Sequence, residues 1–213
     1  MLKRFEELAS NGRVSDALKQ FEQLRAPTLE QKALRSELEA LAGRRGEALR
    51  ISLEIARSGG PATALIRALS VAGRISFFTG THAEGRARFT RAIELGRESR
   101  EAALEAHAHS QYVESLLRFV GLNAAAGELG AYKRAAIRAG THESLATLHR
   151  VFAEAEMRTG RGFRAMRELE LSAFHVEAPA TSLRELNTRS PRAPLLGFLA
   201  RLRKRIRKRF VPR

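Results

Sequence analysis

Over residues 1–175 the apolar positions recur at helical spacing, and glycines interrupt them at intervals. In the stretch from Ala64 to Ala72, Leu65, Leu69 and Ala72 fall at i, i+4 and i+7, which is one face of a helix. Around the interruptions a short pattern repeats: a glycine, a small residue five positions on, and usually a bulky residue four beyond that. It stands as Gly12/Ala17/Phe21, Gly43/Ala48/Ser52, Gly80/Gly85/Phe89 and Gly160/Ala165/Leu169. The gap between the third and fourth copies is twice the usual one, so another turn is expected inside it, at Gly121 or Gly127. A glycine relieves the backbone at a tight turn, a small residue lets the second helix approach the first, and a larger one fills the space between hairpins. The pattern predicts helix pairs at 2–11 with 14–25, 29–42 with 45–58, 62–78 with 83–98, 100–119 with 123–139, and 142–158 with 162–174. Pro27, Pro61 and Pro179 lie between pairs, where they damage no helix interior. The alternative is an irregular helical bundle in which the glycines recur by chance.

Leu69, Ala72 and Gly73, followed by Gly80, Gly85, Phe89 and Ala92, resemble one unit of the tetratricopeptide-repeat family. They supply the large and small residues of a first helix, the turn, and the small and aromatic residues of a second. The resemblance covers about residues 1–175, in the longer, looser form found in arms of bacterial transcriptional regulators and related signalling ATPases. Its unit spacings of 31, 37 and about 40 residues depart from the family's usual length of about 34, and Glu114 stands where a small residue belongs. The resemblance implies an all-α, right-handed superhelical stack of about five antiparallel helix pairs. It also implies non-catalytic work, as a protein-binding scaffold or regulatory module whose first helices line a concave groove. In this register Arg67, Arg74, Gln111, Arg118, Arg150 and Arg158 are exposed along the groove, with Phe77, Phe78, Phe119 and Met157 as apolar neighbours. Guanidinium forks clamp carboxylates while aromatic rings give buried area, so an acidic peptide or helix of a protein partner is the expected occupant. Solvated arginines that merely keep the stack soluble are the alternative. The family's carboxylate clamp of lysine and asparagine is not present.

Composition supports the helical reading, because Ala (35) and Leu (28) dominate while Val and Ile together number only 14. The absence of cysteine excludes disulfides, thiolate metal sites and thiol nucleophiles. The start, Met1-Leu2-Lys3-Arg4-Phe5-Glu6-Glu7, lacks the apolar core of a signal peptide, and no segment reaches the roughly 18 apolar residues of a membrane span. A soluble, cytoplasmic protein is therefore expected. Its first helix is short for a full unit, as in a chain that begins partway through a longer arm. Charge changes the picture at the far end. Of the formal +15, ten charges lie beyond Glu185, the last acidic residue, and the remainder of the chain carries +5.

Thr188 to Pro194 reads as an extended linker, placing domains at 1–180, a linker at 181–194 and a last helix at 195–213. In that helix Leu195, Leu196, Phe198, Leu199, Leu202, Ile206 and Phe210 share an arc of roughly 160°. Arg201, Arg203, Lys204, Arg205, Arg207, Lys208 and Arg209 surround the arc. Such a basic amphipathic helix serves to cap the last hairpin, to lie on an anionic membrane, to bind nucleic-acid phosphates, or to enter a partner's groove. The sequence leaves these uses, the partner's identity and the oligomeric state open.

Catalytic signatures are missing: there is no phosphate-binding glycine loop ending in Lys-Ser or Lys-Thr, no nucleophile elbow and no His-Glu-x-x-His. No enzyme, cofactor or metal is expected. His107 and His109 are two residues apart and point to nearly opposite sides of a helix, while His142 and His149 share a face roughly 10 Å apart, too far for one ion without ligands between. The carboxylate pairs Glu6/Glu7, Glu37/Glu39, Glu154/Glu156 and Glu168/Glu170 read as surface charges with helical partners, such as Glu154 with Arg158.

Overall fold

A computed structural model of the chain describes Arg4, Phe5, Leu8 and residues 12–177. Among these residues every regular element is helical and there is no strand. The predicted linker and C-terminal helix, with the basic candidates Arg201, Arg203, Lys204, Arg205, Arg207, Lys208 and Arg209, lie outside the described residues. From residue 12 to residue 177 the described residues form nine helices, in order α1 (Val14–Glu22), α2 (Leu29–Leu41), α3 (Arg45–Ser58), α4 (Ala62–Phe78), α5 (His82–Glu98), α6 (Ala102–Phe119), α7 (Leu122–Ala139), α8 (His142–Arg158) and α9 (Gly162–Glu177). The predicted boundaries of these nine differ from the observed ones by three residues at most, and Arg4, Phe5 and Leu8 are helical within the first predicted element. No helix among the described residues is long and apolar enough to cross a membrane.

The described residues divide into two compact units, one up to Ala139 and one from Gly140. In the first, α2, α4 and α6 pack side by side, while α3 lies against α2 and α4, and α5 lies against α4 and α6. The turns between helices explain the glycine pattern. Gly12, Gly43, Gly80 and Gly160 all have φ between 73° and 83°, the left-handed region that a residue with a Cβ enters at a cost. The missing copy is Gly121, at φ 127° between α6 and α7, whereas Gly127 lies within α7. Two residues separate α6 from α7, against three at the Gly43 and Gly80 turns, so the phase slips by one and Ala125 takes the buried small position.

Helix starts carry local signals as well. Thr28 accepts from the Gln31 backbone N–H at 3.3 Å, and the Gln31 side chain accepts from the Thr28 N–H at 2.8 Å, closing a capping box ahead of α2. Thr141 caps α8 in the same sense, accepting from the Ser144 N–H at 3.1 Å.

Packing departs from the single-face expectation at α4. Of the predicted stripe only Ala72 is fully buried, and Leu65 and Leu69 are partly so. Ala64, Ile66 and Ala68 are buried instead, together with Val71, Ile75 and Phe77. Residues two apart on a helix point to nearly opposite sides, so this alternation means that two sides are covered at once. The cause is that α4 touches α2, α3, α5 and α6. Its closest neighbour is α5: a Cβ on Gly85 would stand 2.7 Å from the Phe77 ring, and one on Gly73 would stand 2.9 Å from the Phe89 ring. Those rings cannot retreat, because Phe77, Phe89 and Tyr112 pack together with centroids 5.1–6.1 Å apart.

Overpacking at such a contact typically costs about 1–3 kcal/mol. Gly85→Val is expected to lower the denaturant-unfolding free energy of the full chain by that amount. Gly46→Ala, inside α3 with open space around its Cβ, is expected to gain about 0.5–1 kcal/mol from reduced backbone freedom. A Gly85→Val chain as stable as the wild type would refute the close α4–α5 contact.

Candidate partner-binding cleft

The C-terminal ends of α2, α4 and α6 and the first residue of α3 surround an open cleft of about 420 Å³ in the first unit. Ala40 and Leu41 come from α2, Arg45 from α3, Arg74, Ile75 and Phe78 from α4, and Gln111, Glu114, Ser115, Arg118 and Phe119 from α6. Phe78 and Phe119 meet edge to face, with centroids 6.1 Å apart and rings at 90°. Above Phe78 sits the guanidinium of Arg45, its carbon 3.8 Å from the ring centroid, and Arg118 stands 5.4 Å from the centroid of Phe119. Arg74 donates to the Gln111 side-chain oxygen at 2.9 Å.

Electrostatics set this cleft apart. Elsewhere on the first unit arginines reach carboxylates: Arg50 bonds Glu47 at 2.7 Å and Glu54 at 3.3 Å, Arg91 bonds Glu98 at 3.1 Å, and Arg67 bonds Glu37 at 3.1 Å. Arg45, Arg74 and Arg118 form no ion pair among the described residues. Nor do they cap the helix end beside them: the Thr79 hydroxyl donates to the carbonyls of Ile75 and Ser76 at 3.1 and 3.2 Å, and the Thr81 hydroxyl donates to Ser76 at 3.2 Å. Among the described residues of the lining, three guanidiniums thus stand with one carboxylate, that of Glu114. Next to them Phe78 is 48% exposed and Leu41 57%.

Of the residues proposed from the sequence for a groove, Arg74, Phe78, Gln111 and Arg118 come together here. Phe77 does not, for it is 1% exposed and stacks into the aromatic core with Phe89 and Tyr112. Adjacent residues on a helix point about 100° apart, so the Phe77-Phe78 pair divides between core and surface. Arg67 is neutralised by Glu37. Arg150 and Arg158 belong to α8 in the second unit, where Arg158 pairs with Glu154 at 2.8 Å. Arg45 and Leu41 flank the α2–α3 turn of the second predicted pair, whereas the groove positions expected from the sequence lie on the later pairs.

Other polar clusters are built for the interior. Glu39 and Glu105, both nearly inaccessible, were not separable from surface carboxylates by spacing alone. Glu39 is held by Arg35 at 3.4 Å and by Arg44. Glu105 is held by Arg97 at 2.9 Å and by Arg138. Burial pushes the Glu105 carboxyl upward, but hydrogen bonds from Arg97 and Arg138 outweigh it and hold the group below the usual carboxylate range. One turn away His109 is 2% exposed, with neither ring nitrogen in a hydrogen bond. Its nearest carboxylates, Glu105 and Glu128, stand at 3.9 and 4.0 Å. Burial pushes its pKa down to about 4, so it is neutral in the fold at pH 7.

In the second unit, α9 brings a third histidine between the two that share a face of α8. His175 Nδ1 lies 3.1 Å from His142 Nδ1, its ring is parallel to that of His149 at 5.6 Å, and His149 Nδ1 is 2.7 Å from Glu168. Burial, followed by the two neighbouring imidazoles, lowers the pKa of His175. No group of three or more His, Asp or Glu among the described residues is placed to hold a metal ion.

Searches against family models, curated proteins and solved structures find no match to this chain.

His109 gives the stability of the first unit a pH dependence of known sign. Between its ordinary pKa of 6.5 and its folded value of about 4 the unfolded chain binds the extra proton, so stability falls as pH falls through that window. A shift of this size corresponds to about 3 kcal/mol. Melting temperature measured from pH 7 to pH 4.5 is expected to drop steadily, and His109→Leu to flatten the drop. An undiminished drop in that variant would place the acid sensitivity elsewhere.

Proposed function

We propose that the chain is a non-catalytic protein-interaction module, built as a tetratricopeptide-like helical repeat, that holds an acidic segment of a partner in the cleft of its first unit. The observation that carries this reading is the set of three guanidiniums, Arg45, Arg74 and Arg118, that line an open cleft beside two aromatic rings without forming an ion pair among the described residues. A carboxylate entering there gains charge-assisted hydrogen bonds without first displacing an internal carboxylate. Support for the repeat architecture comes from the side-by-side packing of α2, α4 and α6 with α3 and α5 folded back between them. Left-handed glycines at Gly43, Gly80 and Gly121 add to it, as does the small-residue approach of α4 and α5. These features are what a stack of helical hairpins requires: each hairpin buries its apolar faces against its neighbours.

The basic segment 195–213 favours a second reading, binding to nucleic-acid phosphates or an anionic membrane surface. The two are separated by which arginines matter. A fluorescein-labelled glutamate-rich peptide is expected to bind the full chain, as followed by anisotropy. The double variant Arg74→Gln/Arg118→Gln is expected to bind it about tenfold or more weakly, as the loss of two charge-assisted contacts implies. Arg203→Gln/Arg207→Gln should leave this affinity unchanged. If instead only the tail variant weakens binding, with steep loss as salt rises, the cleft is not the site and the second reading takes its place.

A further inference from the structure

The ligand chemistry of the cleft can be narrowed, on the premise that it is a peptide groove. We infer that it selects acidic segments in which carboxylates flank an aromatic or branched aliphatic side chain, and that Phe78 is the residue that reads the apolar member. The closeness of two guanidiniums to the aromatic pair carries this. A guanidinium lying over a ring keeps its donors in its own plane, directed sideways to the ring face. Arg45 over Phe78 therefore offers a carboxylate a fork at the margin of the aromatic surface. Arg118 beside Phe119 adds a second cation, and Arg74, steadied by the neutral Gln111, adds a third. Two of the cations thus stand on the edge-to-face aromatic pair itself.

Between them, Phe78 and Leu41 expose about half of their surfaces, and Ile75 and Ala40 complete an apolar wall. A purely polyanionic ligand satisfies the guanidiniums and leaves this wall wet. A purely apolar ligand buries the wall and desolvates three cations, with only Glu114 in the lining to offset them. A segment that carries both kinds of group meets both demands. Half-exposed Phe78 is the aromatic surface on which the apolar member of such a segment packs.

The test uses the full chain and two labelled peptides of equal charge: one has four carboxylates around a central phenylalanine, and the other has glycine in place of that phenylalanine. The phenylalanine peptide is expected to bind about tenfold tighter, the usual scale for one well-seated aromatic. Phe78→Ala should erase the difference between the peptides. Arg45→Gln should weaken both. Retained helicity by circular dichroism confirms that each variant is folded, as the exposure of both side chains leads one to expect. Equal affinity for the two peptides, still lost in Arg74→Gln/Arg118→Gln, overturns the selectivity and leaves the acidic groove standing. Binding that responds to none of the cleft variants overturns both.

Discussion

Where α4 and α5 cross, the absence of a Cβ at Gly73 and at Gly85 decides the architecture of the first unit. A Cβ on Gly85 would be 3.2 Å from the Gly73 carbonyl oxygen as well as 2.7 Å from Phe77, so the two backbones meet with nothing between them. That approach lets Phe77 and Phe89 interleave with Tyr112 and turns α4 into a helix enclosed by four others. Because Phe77 is drawn inward, its neighbour Phe78 is turned out, and the cleft inherits an exposed ring at the end of α4. The proposed binding surface is in this sense a by-product of core packing: the side chain that faces the cleft is the one the core does not use.

Much of this order was legible in the chain, and the limits have physical causes. The turns were visible because left-handed backbone favours glycine, and Gly12, Gly43, Gly80 and Gly160 hold that conformation. The fourth hairpin was hidden by a turn one residue shorter at Gly121, which breaks a fixed-offset pattern without altering the packing. Burial around α4 escaped a one-face periodicity because a helix covered by four neighbours keeps too narrow a solvent face to create contrast. In the cleft, Arg74, Phe78, Gln111 and Arg118 were found from register alone, since all lie on first helices. Arg67 occupies an equivalent sort of position, yet Glu37, thirty residues earlier, takes up its charge. A pairing across helices leaves no trace in local spacing. The same holds for His175, which reaches His142 and His149 only because α9 folds back on α8.

Buried carboxylates explain where some of the arginine goes. Glu39 and Glu105 each draw two guanidiniums, and leaving either carboxylate charged without them would be costly in so dry a setting. His109, beside Glu105, is buried without hydrogen bonds and stays neutral because burial disfavours its charged form, an effect that Glu105 opposes and Arg97 and Arg138 reinforce. These arginines serve the fold, and counting them toward a binding function overstates the cationic character of the unit.

What remains after that subtraction is more informative than the total of +15. An exposed arginine on a flexible stem loses side-chain entropy on capturing a carboxylate, which erodes much of the gain. Arg45 has already lost part of that freedom by lying on Phe78, and Arg74 by bonding Gln111. Both are fixed by neutral partners, so each is ordered while its charge stays available. Ion-paired arginines elsewhere on the unit are ordered at the expense of that availability, and solvated ones keep the charge but not the order. Preorganisation together with uncompensated charge, next to half-exposed Phe78 and Leu41, is what makes this cleft a better candidate for recognition than any surface chosen by net charge.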